Sequence, residues 1–182
     1  AEAVGDEPSD PVEVASAPTT FELAEASSAT FRLDEELRGS PTTVVGTSGI
    51  VLGQIQIDRD DLSYSQVGEI LIIARDFETY AGLRNRAILG PNLDTETFEF
   101  ISFVPSSIEG LSGTAAIGDE LTVTVSGDLT IRDVTQPVTF DVTAPLTSDT
   151  AIEGAASTTV ERGAFDLVIP SVPSVANVSE QV

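Results

Sequence analysis

The sequence predicts an all-β fold, an antiparallel barrel or sandwich, on three observations. Apolar and polar residues alternate with period two in several separate runs. Gly, Asp and Pro punctuate those runs at short spacings, as at Gly118-Asp119 and from Asp133 to Pro137. Only one stretch carries helical spacing instead. Successive half-polar strands each bury one face, which an antiparallel barrel or sandwich satisfies.

Along the chain, residues 1–20 stand apart. They are acid, Ala, Pro, Ser and Thr with no aromatic, a linker composition too polar to offset its own ordering entropy. An acidic N-terminal arm is therefore expected over 1–20 and one domain over 21–182. Ala29, Phe31 and Leu33 share a strand face, and from Val51 to Ile57 apolar residues alternate with Gln. Ile70 to Ala74 run without a polar break and are expected to be covered on both sides. Leu83 to Pro91 has apolar residues at 83, 87 and 88 and a Gly90-Pro91 stop. That reads as a short helix of about two turns lying between strands over one barrel mouth. Leu121 to Val125 and Val138 to Thr143 alternate again, and near the end Phe165, Leu167 and Ile169 share a face, as in a strand.

Composition bounds the chemistry. Of 182 residues 41% are hydrophobic, enough for one core. Thirty acids face eight basic residues, all arginine, for a net charge of −22. Nucleic acid requires a cationic footprint, and an anionic membrane repels this charge, so neither is an expected partner. With no Cys there are no disulfides or thiolate nucleophiles, and with no His the usual triads and metal ligands are gone. No enzyme activity is expected. The chain has no Met, and Ala1-Glu2-Ala3 reads as residues left after signal-peptide removal. No run approaches the roughly 20 apolar residues of a spanning helix. The expectation is an exported protein, periplasmic or extracellular, whose acidity suits either a salty setting or an ordinary secreted domain.

Minor motifs add little. Asp58-Arg59-Asp60-Asp61 offers oxygens but lacks the glycine and terminal glutamate of a calcium loop, so it reads as an acidic turn and no metal is expected. With two Tyr and no Trp to stack a sugar, glycosidase-like carboxylate pairs are not expected either. Asn177-Val178-Ser179 is a glycosylation sequon.

The most specific stretch is Gly127-Asp128-Leu129-Thr130-Ile131-Arg132-Asp133-Val134-Thr135-Gln136-Pro137-Val138. It is a hairpin with Leu129 and Ile131 inward, and it resembles the signature hairpin of the YceI-like family. The segment from Leu83 to Phe103 resembles that family's arginine-rich helix and following strand, with Arg84, Asn85, Arg86, Leu89, Leu93, Asp94, Phe98 and Phe103 in corresponding places. Ser28 to Leu33 with Val45 to Gly49 resembles its first hairpin, and Ile169 to Pro173 the approach to its final strand. The resemblance covers about residues 21–182. Asp133 stands where the family turn has Gly, Gln136 replaces a basic residue and Glu99 replaces Pro. Histidines found in many relatives are absent, so contacts through them do not carry over. Relatives complete a last strand near Val182, so here either that strand is short or another segment fills its edge.

The resemblance implies an extended lipocalin-like antiparallel β-barrel, exported, whose apolar lumen binds an isoprenoid or other long-chain lipid, with no other cofactor. Its lumen candidates are Phe31, Phe98, Phe100, Phe103, Phe140 and Phe165, which can equally pack a filled core. Arg84 and Arg86 are candidates to grip an anionic head group, or to pair with neighbouring acids. A second function class is a structural subunit of an extracellular filament or ring. There, residues 1–20 would self-associate by adding a strand to a neighbouring barrel.

Overall fold

The computed structural model describes residues 17–169 and 173–182. The period-two runs become β1 (Thr19–Glu22), β2 (Ala29–Leu37), β3 (Ser40–Ser48), β4 (Val51–Leu52), β5 (Gln54–Ile57), β6 (Gln66–Val67) and β7 (Ile70–Ile73). After the helical stretch come β8 (Phe100–Glu109), β9 (Glu120–Ile131), β10 (Val134–Pro145), β11 (Ala155–Ser157) and β12 (Val175–Ala176). The predicted helix is α1 (Gly82–Ala87), which widens into a π turn over Ile88–Asn92; Gly90 and Pro91, expected to stop the helix, lie inside that turn, which ends at Leu93.

Three antiparallel sheets result. A six-stranded sheet of order β11-β10-β9-β8-β7-β4 curls into a half-barrel. The sheets β12-β2-β3 and β1-β5-β6 complete the wall. Ser48, fully buried, ties β3 to β7 by donating from Oγ to the Ile73 carbonyl at 3.0 Å. On the opposite side closure runs through the C-terminal residues. Ser179 N donates to the Asp34 carbonyl at 2.8 Å, and Val160 and Val182 exchange backbone bonds of 3.0 and 2.9 Å. The last strand, β12, is short, and Val160 and Arg162 bond to Val182 and Glu180 beyond it.

Turn chemistry sets the registers. Arg38 and Gly39, both at positive φ (52° and 80°), make the tight turn that pairs Leu37 with Ser40. In the β9–β10 hairpin the positive φ falls on Arg132 (57°) rather than on Asp133, so the Asp at the family's Gly position is not the strained one. Gly53 splits the predicted run from Val51 to Ile57, because β4 pairs with β7 whereas β5 pairs with β1. A Cβ there would stand 2.6 Å from the Ile70 side chain and 3.0 Å from the Glu69 carbonyl.

Two expectations are corrected. Ile70 to Ala74 is only partly covered, since Ile73 and Ala74 are buried whereas Ile70, Leu71 and Ile72 are half-buried. Phe165 to Ile169 is not a strand: a 3-10 turn spans Arg162–Phe165, and Asp166 at φ 53° turns the chain out of it. Of the N-terminal arm, Thr19 and Thr20 pair within the same chain with Ile57 and Gln56. The expected strand addition by the rest of the arm falls on residues 1–16, outside the described residues.

The main core joins Phe77, Leu93, Ile101, Phe103, Val125, Leu129, Ile131 and Phe165 under α1 and its π turn. A satellite cluster of Phe21, Ile57 and Leu62 fills the space between the small β1-β5-β6 sheet and neighbouring loops.

Candidate functional site

Strand parity decides which phenylalanines share the interior. On β9 the inward residues are Val125, Gly127, Leu129 and Ile131. The β10 register places Phe140 beside Val125 and Val138 beside Gly127, and on β8 Phe103 pairs with Leu129. Phe103 and Phe140 meet edge to face with centroids 4.8 Å apart, and Phe31 meets Phe77 at 5.5 Å. Phe165 is 1% exposed in the same core. Phe31, Phe103, Phe140 and Phe165 are therefore brought together.

Phe100 is not. It lies three residues from Phe103 on one strand, so it faces the other way and is 39% exposed. Phe98 is half-buried in the turn before β8, where its N–H donates to the Asp94 carbonyl at 2.8 Å, and it does not pack on the main cluster. Two glycines make room for the rings. The Phe31 ring lies over Gly46, and the Phe103 ring lies over Gly127, where a Cβ would stand 2.9 Å from it.

The interior is unevenly covered. The β9 row is buried, whereas the inward row of β10, from Val134 through Val138, Phe140 and Val142, is half-buried throughout. Two surface concavities, of about 440 and 310 Å³, lie beside the satellite cluster, and none of the six phenylalanines lines either. The main interior is therefore packed by its own side chains under α1 and incompletely covered along β10.

The polar candidates divide as well. Arg84 on α1 reaches Glu35 on the inner face of β2, with Nη2 to Oε1 at 2.6 Å, and the Glu35 side chain is only 6% exposed. Arg86 is exposed and makes no ion pair among the described residues. Asn85 instead organises the loop before the helix, accepting from Thr79 N at 2.8 Å and Thr79 Oγ1 at 2.6 Å. Arg132 pins the β9–β10 turn to the π turn through a 3.1 Å bond to the Asn92 carbonyl.

The acidic run is a turn. Asp58 Oδ1 accepts from Asp60 N and Asp61 N at 3.1 Å each, and Asp61 caps the short 3-10 turn Leu62–Tyr64 through Ser63. Hydrogen bonds from the Ser63 hydroxyl and then its N–H hold the Asp61 carboxyl below its ordinary range. Among the described residues no cluster of three or more His, Cys, Asp or Glu is placed to hold a metal. In the sequon, Asn177 Nδ2 donates to Glu36 at 2.8 Å and Ser179 Oγ accepts from Asp34 N at 3.1 Å, so both side chains fasten the C-terminus to β2. No described helix is long and apolar enough to cross a membrane.

Sequence reasoning missed Phe77, Leu93 and Glu35 as interior groups. Phe77 and Leu93 lie outside the regular strands, where alternation gives no signal. Glu35 continues the inward parity of Ala29, Phe31 and Leu33, and that parity was the available signal.

Similar proteins show the same architecture. Crystal structures that match include BcnA of Burkholderia cenocepacia, 19% identical over 85% of this chain and 92% of that one, with a TM-score of 0.60. A polyisoprenoid binding domain from Saccharophagus degradans, implicated in plant cell wall breakdown, is 13% identical over 83% and 82%, with a TM-score of 0.59. The Campylobacter jejuni YCEI protein is 13% identical over 75% and 82%, with a TM-score of 0.57. Among curated protein sequences none matches. The sequence model of one family matches residues 21–182, nearly all of the chain, and agrees with the hairpin and the arginine-bearing helix: the chain belongs to the YceI-like domain family.

Proposed function

We propose that this protein binds an isoprenoid or other long-chain lipid inside its barrel, as an exported carrier without enzymatic activity. The observation that carries the reading is the half-buried inward row of β10, Val134, Val138, Phe140 and Val142, interrupted by Gln136, which continues the buried core and is only partly covered. An apolar chain laid along this row would cover it. The polyisoprenoid binding named for the Saccharophagus degradans domain supports the same ligand class. Burial contributes about 0.8 kcal/mol per methylene, so ten methylenes supply roughly 8 kcal/mol before the costs of association. Such binding needs no His, Cys or metal, in keeping with the composition. Phe31, Phe103 and Phe140 would contact the chain. Arg84 would meet an anionic head group only by sharing or leaving Glu35, while Arg86 is free of that competition.

Displacement of the fluorescent apolar probe 1-N-phenylnaphthylamine by prenyl alcohols of increasing length tests this. Affinity is expected to rise about tenfold for every two methylene-sized increments until the interior is full. Affinity independent of chain length contradicts it.

A further inference from the structure

We infer that the lipid enters sideways, between β10 and the strap formed by the 3-10 turn Arg162–Phe165 and its continuation to Leu167, with Phe165 as the plug it displaces. This inference rests on the lipid-binding reading and adds the place of entry.

The outer edge of β10 is the weak side of the wall. β11 pairs with it only from Asp141 to Thr143. The tight turn after Ile131 directs the backbone bonds of Val134, Gln136 and Val138 toward β9, so Thr135, Pro137 and Thr139 face outward. Pro137 has no N–H, which prevents a strand from extending the β11 ladder along this edge. Here the strap crosses. It is attached by the Phe165 ring inside, by the half-buried Leu167 against the same core and, among the described residues, by one side-chain bond to β10, Gln136 Nε2 to the Ala164 carbonyl at 2.9 Å. Beneath and beside it lies the half-buried row of β10.

The other side of the strap is firmly held. Arg162 Nε donates to the Ser179 carbonyl at 3.0 Å, Nη1 to the Leu167 carbonyl at 3.1 Å, and Nη2 pairs with Glu180. The Arg162 N–H bonds the Glu180 carbonyl at 2.9 Å. Among the described residues the strap's remaining backbone bonds are local: Ala164 to Glu161, Asp166 to Gly163 and Leu167 to Arg162. Swinging the strap about Arg162 therefore breaks no strand ladder, the kind of opening that needs less than global unfolding. The mouth under α1 is the harder route, closed by the buried Arg84–Glu35 pair and by the bond from Arg132 to Asn92. Entry at the β10 edge also explains how a packed interior takes a ligand: Phe165 leaves as the chain comes in.

The chain has no cysteine, so single thiols report opening directly. Phe165→Cys and Phe103→Cys each replace a buried ring of the same core, at 1% and 7% exposure. In the ligand-free full chain, maleimide labelling at the first site should run about tenfold faster than at the second. Gln136→Ala should accelerate the first several-fold and leave the second unchanged. Equal rates, or no response to Gln136→Ala, overturn the strap whether or not any lipid binds. If either cysteine variant fails to fold, hydrogen exchange on the unmodified chain decides: Ala164, Asp166 and Leu167 amides exchanging ahead of Val125 to Ile131 support it, and exchange in step overturns it. With 1-N-phenylnaphthylamine, Gln136→Ala should raise association and dissociation rates together and hold Kd within about twofold. Unchanged rates overturn the portal, whereas no probe uptake by the unmodified chain overturns the lipid-binding reading instead.

Discussion

Arg84 Nη2 lies 2.6 Å from Glu35 Oε1, joining α1 to the inward face of β2 across the mouth of the barrel. Glu35 is the one strongly buried acid in an otherwise apolar row that begins with Ala29, Phe31 and Leu33. A carboxylate in that place requires a partner, because burying it alone costs far more than the pair gains.

Removing that partner is therefore expected to destabilise the fold. Arg84→Ala should cost about 1–3 kcal/mol, read from the urea midpoint, since Glu35 is left without its donor. Combining it with Glu35→Leu should recover part of the loss. Equal and additive losses in the two single variants would show that the pair is not coupled. Arg86→Ala, on the exposed side of the same helix, should stay within about 0.5 kcal/mol.

Gly127→Ala should be among the costliest small substitutions. Its Cβ would stand 2.8 Å from the Pro105 Cα and 2.9 Å from the Phe103 ring, and it would also crowd the Val104 carbonyl. Backbone cannot yield as a side-chain tip does, so a loss of at least about 1–3 kcal/mol is expected in thermal unfolding. At Gly46 the obstacle is the Phe31 ring, so Gly46→Ala combined with Phe31→Leu should recover stability. No second-site change of a side chain should rescue Gly127→Ala.

The phenylalanines should separate by placement. Phe165→Ala empties a site that is 1% exposed and should cost about 3–5 kcal/mol. Phe100→Ala, at 39% exposure on the outer face, should cost less than about 1 kcal/mol. Equal losses in denaturant titrations would contradict the parity assignment of β8.

Asp61 should give a signature in acid. Its folded-state carboxyl titrates below the ordinary 3.8 because the Ser63 hydroxyl and N–H bind the charged form. A depressed carboxyl contributes stability that is present above the unfolded value and disappears as pH falls through the folded one. Carbon-detected NMR should place the Asp61 midpoint below 3.8, and Ser63→Ala should move it upward. A midpoint unmoved by Ser63→Ala would contradict the cap.

Much of the fold was legible because alternation reports burial directly. The strands around Phe31, Val125 and Phe140 stand where period two places them, and the apolar spacing from Leu83 marks the helix. The failures have physical causes. Apolar spacing at Phe165, Leu167 and Ile169 suits a strand, but Gly163 and the left-handed Asp166 allow a tight turn that buries Phe165 instead. Gly53 was invisible as a break because its function is to let one run pair with two different sheets. Phe100 and Phe103 could have been separated by parity alone. The pairing of Arg84 with Glu35 could not, since 49 residues lie between them and nothing local in either segment specifies the other.

Whether an apolar chain occupies this interior is read by native mass spectrometry of protein purified without detergent. The expected result is a monomer that releases a lipid of a few hundred daltons on collisional activation, and that still does so after residues 1–16 are deleted. A ligand-free chain that takes up no prenyl lipid when one is supplied, or oligomers that collapse to empty monomer on that deletion, would contradict it.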